Sequence, residues 1–100
     1  MPISGEWWSY TLNLVEMEKD APGVFELGNP GKNVVFIASS PKVRSRLIEH
    51  LEESSGSCIR RFATRYRVEY TSTYRKREEE LFADHVKTHG KLPRCNERYQ

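Results

Sequence analysis

Four consecutive turn-forming residues, Gly28-Asn29-Pro30-Gly31, separate two short apolar runs and most constrain what this chain can fold into. The runs are residues 24–27 and 33–38, and each has the length of a β-strand. Glycine, asparagine and proline favour a tight reversal of the chain, because they adopt the backbone angles that turns require. The sequence therefore predicts a β-hairpin over residues 24–38.

A helix and a third strand are predicted after the hairpin. Ser39-Ser40-Pro41 is typical of a helix start, and apolar residues then recur at helical spacing until residues 54–56. Residues 62–70 alternate between apolar or aromatic side chains and polar ones, which predicts a half-buried strand. The polar side of this strand carries several arginines, so we expect a basic outer face.

A second helix should begin near Thr71 or Ser72 and end at Gly90. The order of elements predicts an α+β fold in which a small, mainly antiparallel three-stranded sheet is flanked by helices, with the order β-β-α-β-α. The chain has 100 residues, the size of one domain. We expect an N-terminal aromatic extension over residues 1–21, a domain over residues 22–96 and a tail over residues 97–100.

The N-terminal extension contains Trp7 and Trp8, followed by apolar residues that fit either a strand or a helix. The two indoles could stack on unpaired bases, but in so small a domain we expect them in the core.

The longest uncharged apolar run, residues 34–38, is too short to span a bilayer. Cys58 and Cys95 show no framework spacing, so we expect reduced thiols in a cytoplasmic protein, with a single bridge as the alternative.

The distribution of charge indicates a polyanionic partner more than the net charge of +2 does. Residues 60–77 include seven lysines and arginines and one acid, Glu69. We expect DNA as the partner, because clustered cations neutralise backbone phosphates. The alternative is a solvated face that pairs locally with Glu69. The candidate phosphate contacts are Arg44, Arg61, Arg65, Arg67 and Arg75.

Five short segments, taken in order, resemble the GIY-YIG nuclease family. The segment Pro22-Gly23-Val24-Phe25 resembles the first family motif, and Phe36-Ile37-Ala38 resembles the second. Arg46 stands at the family's helix arginine, residues 77–82 resemble the family's glutamate helix, and residues 92–96 resemble its Pro-Arg-Tyr-Asn ending. The resemblance covers about three quarters of the chain and rests on order and spacing.

The resemblance implies a metal-dependent endonuclease that uses Mg²⁺ or Mn²⁺ to hydrolyse phosphodiesters. Glu78 would hold the metal, with Glu79 as the second choice if the alignment shifts by one residue. Arg46 would hold the scissile phosphate, for which a planar guanidinium is suited. An exposed helix arginine without such a role is the alternative for Arg46.

Both motif tyrosines of the family are phenylalanine here, at Phe25 and Phe36. In the family the tyrosine of the second motif is thought to help activate water, and a phenyl ring has no hydroxyl for this work. His50 could act as the base near neutral pH. A neighbouring hydroxyl is the other substitute, from Tyr66, Tyr70 or Tyr74.

Glu78 interrupts the apolar stripe of the second helix, because Tyr74, Leu81 and Phe82 lie on the same helical face. Burying an unpaired carboxylate is costly, and a bound Mg²⁺ would offset that cost. The alternatives are an ion pair with Arg44 or Arg46, or partial exposure.

The sequence also fits other functions. The spacing His85-x3-His89, with Cys95 downstream, suggests a zinc site, but the usual second pair of ligands is missing. The loss of both tyrosines equally suits a catalytically silent nucleic-acid-binding module. A third reading is a protein-interaction domain, in which the tryptophan segment contacts a partner or a second copy of the chain.

Overall fold

The computed structural model describes residues 3–98, which form a four-stranded antiparallel sheet in the order β1-β4-β2-β3 with helices on both faces. The predicted α+β class is confirmed, but the sheet has four strands, not three. The elements in chain order are β1 (Trp8–Ser9), α1 (Leu12–Val15), β2 (Gly23–Gly28), β3 (Val34–Ser40), α2 (Val43–Leu51), α3 (Cys58–Phe62), β4 (Arg65–Tyr70), α4 (Tyr74–His89) and a 3-10 helix (Asn96–Arg98).

The extra strand comes from the N-terminal segment, which the sequence left undecided between strand and helix. Trp8 pairs with Tyr66 across β1 and β4, and a short helix, α1, follows. Both local structures therefore occur in the same segment, one after the other. Tyr10, between them, is buried and its hydroxyl donates a hydrogen bond to the carbonyl of Leu47 at 2.6 Å.

The predicted hairpin is confirmed, and β2 lies in the middle of the sheet. Phe25 is opposite Ala38 on β3 and opposite Val68 on β4. Gly23, at the start of β2, approaches β4 closely: a Cβ atom there would lie 2.6 Å from the carbonyl oxygen of Glu69. Only glycine fits this position, which gives a physical reason for the glycine of the first motif.

The predicted strand over residues 62–70 is wrong at its start. Residues Cys58–Phe62 form helix α3, and β4 begins only at Arg65. The Ser57 side chain accepts a hydrogen bond from the amide of Arg60 at 3.1 Å and caps α3. Alternation alone did not reveal this cap, so the apolar pattern was extended too far into the helix.

Helix α2 begins at Val43, just after the predicted start, and Ser40 accepts a hydrogen bond from the amide of Lys42 at 3.0 Å. Its cap residue is Lys42, which makes no side-chain cap bond. Instead Asp20, from the N-terminal segment, accepts hydrogen bonds from the amide of Ser45 at 3.0 Å and from its hydroxyl at 2.8 Å. Helix α4 ends as predicted, with Gly90 in the left-handed conformation at φ 80°.

The two faces of the sheet carry separate clusters of buried side chains. Phe25 and Phe36 face α2, whereas Val24 and Ile37 face α4, because neighbouring residues of a strand point to opposite sides. Leu81 of α4 packs on the second pair. Every residue of β2 is consequently buried.

Cys58 and Cys95 form a disulfide, with their Cα atoms 5.5 Å apart. The expectation of reduced thiols is therefore wrong, because the fold brings together two residues that are 37 positions apart in sequence. The bridge joins α3 to the segment before the 3-10 helix. Within residues 3–98, no helix is long and apolar enough to cross a membrane.

Candidate functional site

Three rings form one buried cluster between the hairpin and α2. The ring centroids of Phe36 and His50 are 5.0 Å apart, those of Phe25 and His50 are 6.1 Å apart, and those of Phe25 and Phe36 are 6.4 Å apart. The imidazole meets both phenyl rings edge-on. The structure thus brings together three of the five residues predicted for the catalytic site. The other two are Arg46 and Glu78.

His50 is 2% exposed and has a carboxylate partner. Its Nδ1 lies 2.6 Å from Oε2 of Glu53, one helical turn away. Burial lowers the pKa of His50, although the Glu53 carboxylate acts in the opposite direction. The imidazole is accordingly neutral near pH 7, but its place between two phenyl rings keeps solvent from most of its surface.

The tyrosines that could replace the missing hydroxyls are already engaged or placed elsewhere. The hydroxyls of Tyr66 and Tyr70 both donate to the carboxylate of Glu18, at 2.8 and 2.6 Å. Burial, reinforced by Glu18, raises the pKa of both phenols. Tyr74 packs on the α4 side of the sheet. A phenol of raised pKa is a poor proton acceptor near neutral pH.

Glu78 is half-buried on α4 and lies beside Ser39, the residue after the second motif-like segment. Burial raises the pKa of its carboxyl, while hydrogen bonds from Ser39 oppose that rise. Ser39 lies two positions after Ile37 on β3, and Leu81 of α4 packs on that side of the strand. Glu79 is exposed.

One carboxylate can suffice for Mg²⁺, because this ion keeps water ligands and binds substrate phosphates. Glu78 supplies one half-buried carboxylate, whose pKa is raised by burial and lowered by hydrogen bonds from Ser39. Within the described residues, no group of three or more acidic, histidine or cysteine side chains is arranged to hold a metal ion. The predicted zinc site would use His85, His89 and Cys95. Because Cys95 is in the disulfide and His85 Nδ1 lies 3.0 Å from the Lys91 carbonyl oxygen, the structure gives this hypothesis no support.

Arg46 lies on α2 near the ring cluster but points outward. Its side chain is 47% exposed, and its guanidinium pairs with Glu49 at 3.0 Å. Its positive charge contributes to the lowered pKa of His50. Within residues 3–98, no hydrogen bond or ion pair joins Arg46 to Glu78, so the alternative of an ion pair between them is not observed.

The basic outer face predicted for the strand is neutralised at Arg67, because that side of β4 carries ion pairs with side chains of β2 and α4. Arg67 donates to Glu26 at 2.6 Å, and Arg77 of α4 donates to Glu69 at 2.7 and 3.2 Å. Glu26 is only 3% exposed, and burial raises the pKa of its carboxyl even though Arg67 acts to lower it. A carboxylate within the apolar run of residues 24–27 was the signal for this buried pair.

The remaining candidate DNA contacts lie on separate elements. Arg44 is on α2, with its guanidinium 4.0 Å from Asp20, and Arg65 is half-buried on β4. Arg61 and Arg75 are exposed on α3 and α4. The structure therefore does not assemble the five predicted arginines into one surface.

The two tryptophans have different environments. Trp7 packs on Gly28, where a Cβ atom would lie 2.9 Å from the indole, and Arg67 lies over the indole at 4.3 Å. Trp8 is 50% exposed on β1. The expectation of two core residues is thus wrong for Trp8, which lies on the two-residue edge strand β1, where both residues are exposed.

Comparisons with known proteins agree with this architecture. A family model described as "Domain of unknown function (DUF7508)" matches residues 1–88. None of the curated protein sequences matches the chain. The fold is similar to crystal structures of the GIY-YIG N-terminal endonuclease domain of UvrC from Thermotoga maritima.

Three of these structures illustrate the likeness. The magnesium-bound domain is 18% identical, with a TM-score of 0.60 over 83% of this chain and 91% of that one. Two tyrosine-to-phenylalanine mutants, bound to the catalytic divalent cation, are 19% and 18% identical, each with a TM-score of 0.60 over 83% of this chain and 90% of theirs. At such identities the likeness concerns the fold, and it confirms the predicted GIY-YIG-like architecture.

Proposed function

The chain belongs to the DUF7508 family, and from that premise we propose that it is a GIY-YIG-like DNA-binding domain in which metal-dependent phosphodiester hydrolysis is strongly impaired. One observation carries the proposal. The rings of Phe25, Phe36 and His50 form a buried cluster at positions where the resemblance expects two tyrosine hydroxyls. The site keeps the fold of a nuclease and lacks the groups that would activate water.

The impairment follows from the chemistry of the groups that remain. Phenyl rings neither accept nor relay a proton, and the hydroxyls of Tyr66 and Tyr70 are held by Glu18. His50 could take a proton near pH 7, but it is enclosed by Phe25 and Phe36. We therefore expect hydrolysis far below that of a tyrosine-containing site.

Metal binding is a separate matter from proton transfer. We propose that Glu78 holds Mg²⁺ or Mn²⁺, with Glu79 as the second candidate. Such an ion would stabilise negative charge on phosphate oxygens. The similar Thermotoga maritima domains bind the catalytic cation with one tyrosine replaced by phenylalanine, which supports this separation. Arg46 is exposed on α2, and its guanidinium would contact a phosphate in place of the Glu49 carboxylate.

A plasmid-nicking assay tests the proposal. Supercoiled DNA is incubated with the protein and Mg²⁺ or Mn²⁺, and retention of DNA on a gel is measured in parallel. We expect DNA retention with little nicking, and any residual nicking should disappear in Glu78→Gln. Glu80→Gln, an exposed acid on the same helix, is the matched control and should behave as wild type. Robust nicking by wild type would refute the impairment, and absence of DNA retention would refute DNA binding.

A catalytically silent nucleic-acid-binding module is the close alternative. It predicts equal DNA retention with Mg²⁺ and with a chelator, whereas a retained metal site predicts tighter retention with the ion.

A protein-interaction role is favoured by one observation, the exposure of Trp8 and of Leu12 at 50% and 48%. If this surface binds a second copy, Trp8→Ser should convert a dimer into a monomer in sedimentation experiments.

A further inference from the structure

A surface pocket of about 420 Å³ opens beside the disulfide. Its lining residues come from α3 and from the segment after α4, and they are Cys58, Arg61, Phe62, Lys91, Arg94 and Glu97. We call this feature the disulfide pocket. It contains three cations and one acid, so its net charge is positive near pH 7.

The two arginines of the pocket differ from three arginines elsewhere in their ion pairing. Arg46, Arg67 and Arg77 each have a carboxylate within salt-bridge distance. Within residues 3–98, neither Arg61 nor Arg94 has a salt bridge. A paired guanidinium must give up its partner before it can bind a phosphate, whereas an unpaired one need not. Two guanidinium groups at this pocket are therefore available to a polyanion without the loss of an ion pair.

The geometry holds these charges together. The guanidinium of Arg61 lies 5.2 Å from the ring centroid of Phe62, and that of Arg94 lies 4.2 Å from the same centroid. Both cations are thus held against one aromatic ring from two parts of the chain. Stacking on a ring restricts a guanidinium while leaving its N–H donors free at the edge, which is the arrangement that phosphate oxygens accept.

The disulfide connects the two parts of the chain that carry these arginines. Cys58 begins α3, which carries Arg61, and Cys95 directly follows Arg94. The amide of Cys95 also donates to the carbonyl of Val35 on β3 at 2.8 Å. The segment that carries Arg94 is therefore tied to α3 by the disulfide and to β3 by a backbone hydrogen bond.

We propose that the disulfide pocket is the principal contact for DNA backbone phosphates, with Arg61, Arg94 and Lys91 as the phosphate-binding groups. This inference rests on the proposed DNA binding and specifies the surface that performs it. It replaces the strand face of β4, whose arginine Arg67 is occupied by Glu26. Glu97, the one acid at the pocket, opposes binding.

The test measures the affinity of the full chain for a labelled DNA duplex between about 50 and 200 mM salt. Arg61→Gln/Arg94→Gln should lower affinity about tenfold and reduce the slope of log affinity against log salt by about two, because each lost phosphate contact releases one counterion fewer. The matched control, Lys76→Gln/Lys87→Gln, removes two exposed cations from α4 and should change the slope by less than about half a unit.

A gain-of-binding variant guards against loss of folding. Glu97→Gln should increase affinity about twofold to threefold, since it removes a like charge from the phosphate site. If the wild-type protein binds DNA and the two double variants change its affinity and salt dependence equally, the role of the pocket is refuted but DNA binding is not. Weaker binding by Glu97→Gln would also overturn the pocket. Failure of the wild-type protein to bind DNA at any salt would overturn both proposals.

Discussion

Asn96 makes two hydrogen bonds to a single residue on the edge strand, Ile37. Its Oδ1 accepts from the Ile37 amide at 2.9 Å, and its Nδ2 donates to the Ile37 carbonyl at 2.9 Å. Because β3 is the outer strand of the sheet, these two backbone groups have no strand partner. The asparagine of the family-like ending therefore closes the sheet edge at the second motif-like segment.

Replacement of this asparagine should destabilise the domain. Asn96→Ala removes both hydrogen bonds and leaves the Ile37 backbone groups unsatisfied, so we expect a loss of about 2–4 kcal/mol in the free energy of unfolding. Urea denaturation measures the change. Asn13→Ala, at an exposed position on α1, is the control and should change stability by less than about 0.5 kcal/mol. Similar losses in both variants would contradict the role assigned to Asn96.

The Cys58–Cys95 bridge should contribute to stability in a reductant-sensitive way. It closes a loop across 37 positions, for which we expect about 3–4 kcal/mol of stabilisation. Dithiothreitol should lower the urea midpoint of the wild-type protein to that of Cys58→Ser/Cys95→Ser. The midpoint of this double variant should not change with the reductant. If the wild-type midpoint does not respond to dithiothreitol, the thiols are unpaired in solution and the disulfide is absent.

The Glu26–Arg67 pair should behave as a coupled unit. Arg67→Met leaves the buried Glu26 carboxylate without its cation, so we expect a loss of about 3–5 kcal/mol at pH 7. Since burial raises the pKa of Glu26, the loss should shrink as the pH falls toward that pKa and the carboxyl becomes protonated. Glu26→Leu/Arg67→Met should recover most of the stability. Simple addition of the two single losses in a double-mutant cycle would rule out the coupling.

The buried imidazole predicts a pH dependence of stability. Burial lowers the pKa of His50 below its unfolded value of 6.5. As the pH falls, His50 is therefore protonated in the unfolded chain before it is protonated in the folded protein. The stability that is present above pH 6.5 is lost as the pH falls toward the pKa of His50 in the folded protein. The difference in stability between wild type and His50→Gln should shift by up to about 1.4 kcal/mol per pH unit in that window. Parallel pH profiles of the two proteins would exclude a titration of His50.

Restoring the hydroxyls tests why hydrolysis is impaired. Phe25→Tyr/Phe36→Tyr returns two phenols to the ring cluster beside His50, and we expect plasmid nicking to rise at least about tenfold in Mg²⁺. The same double substitution combined with Glu78→Gln should be inactive. A restored variant that folds and binds DNA but nicks no faster than wild type would show that the missing hydroxyls are not the cause.

Local sequence signals were sufficient for the elements whose formation depends on neighbouring residues. The turn at residues 28–31 and the strands beside it predicted the hairpin, and Gly90 correctly ended α4. The order of the motif-like segments predicted the GIY-YIG-like fold, which the structural comparison confirmed. Phe25 and Phe36 alone indicated that the two motif hydroxyls are missing, because a residue's chemistry does not depend on the fold.

Only the tertiary structure decided which charges are available and which are neutralised. Arg67 looked like a free cation in the sequence, but Glu26 binds it across neighbouring strands from 41 positions away. Cys58 and Cys95 likewise looked unpaired until α3 and the chain after α4 were placed side by side. Periodicity reports which residues share a face, but contacts between distant segments depend on how the whole sheet and its helices pack. The unpaired arginines of the disulfide pocket therefore became visible only in three dimensions.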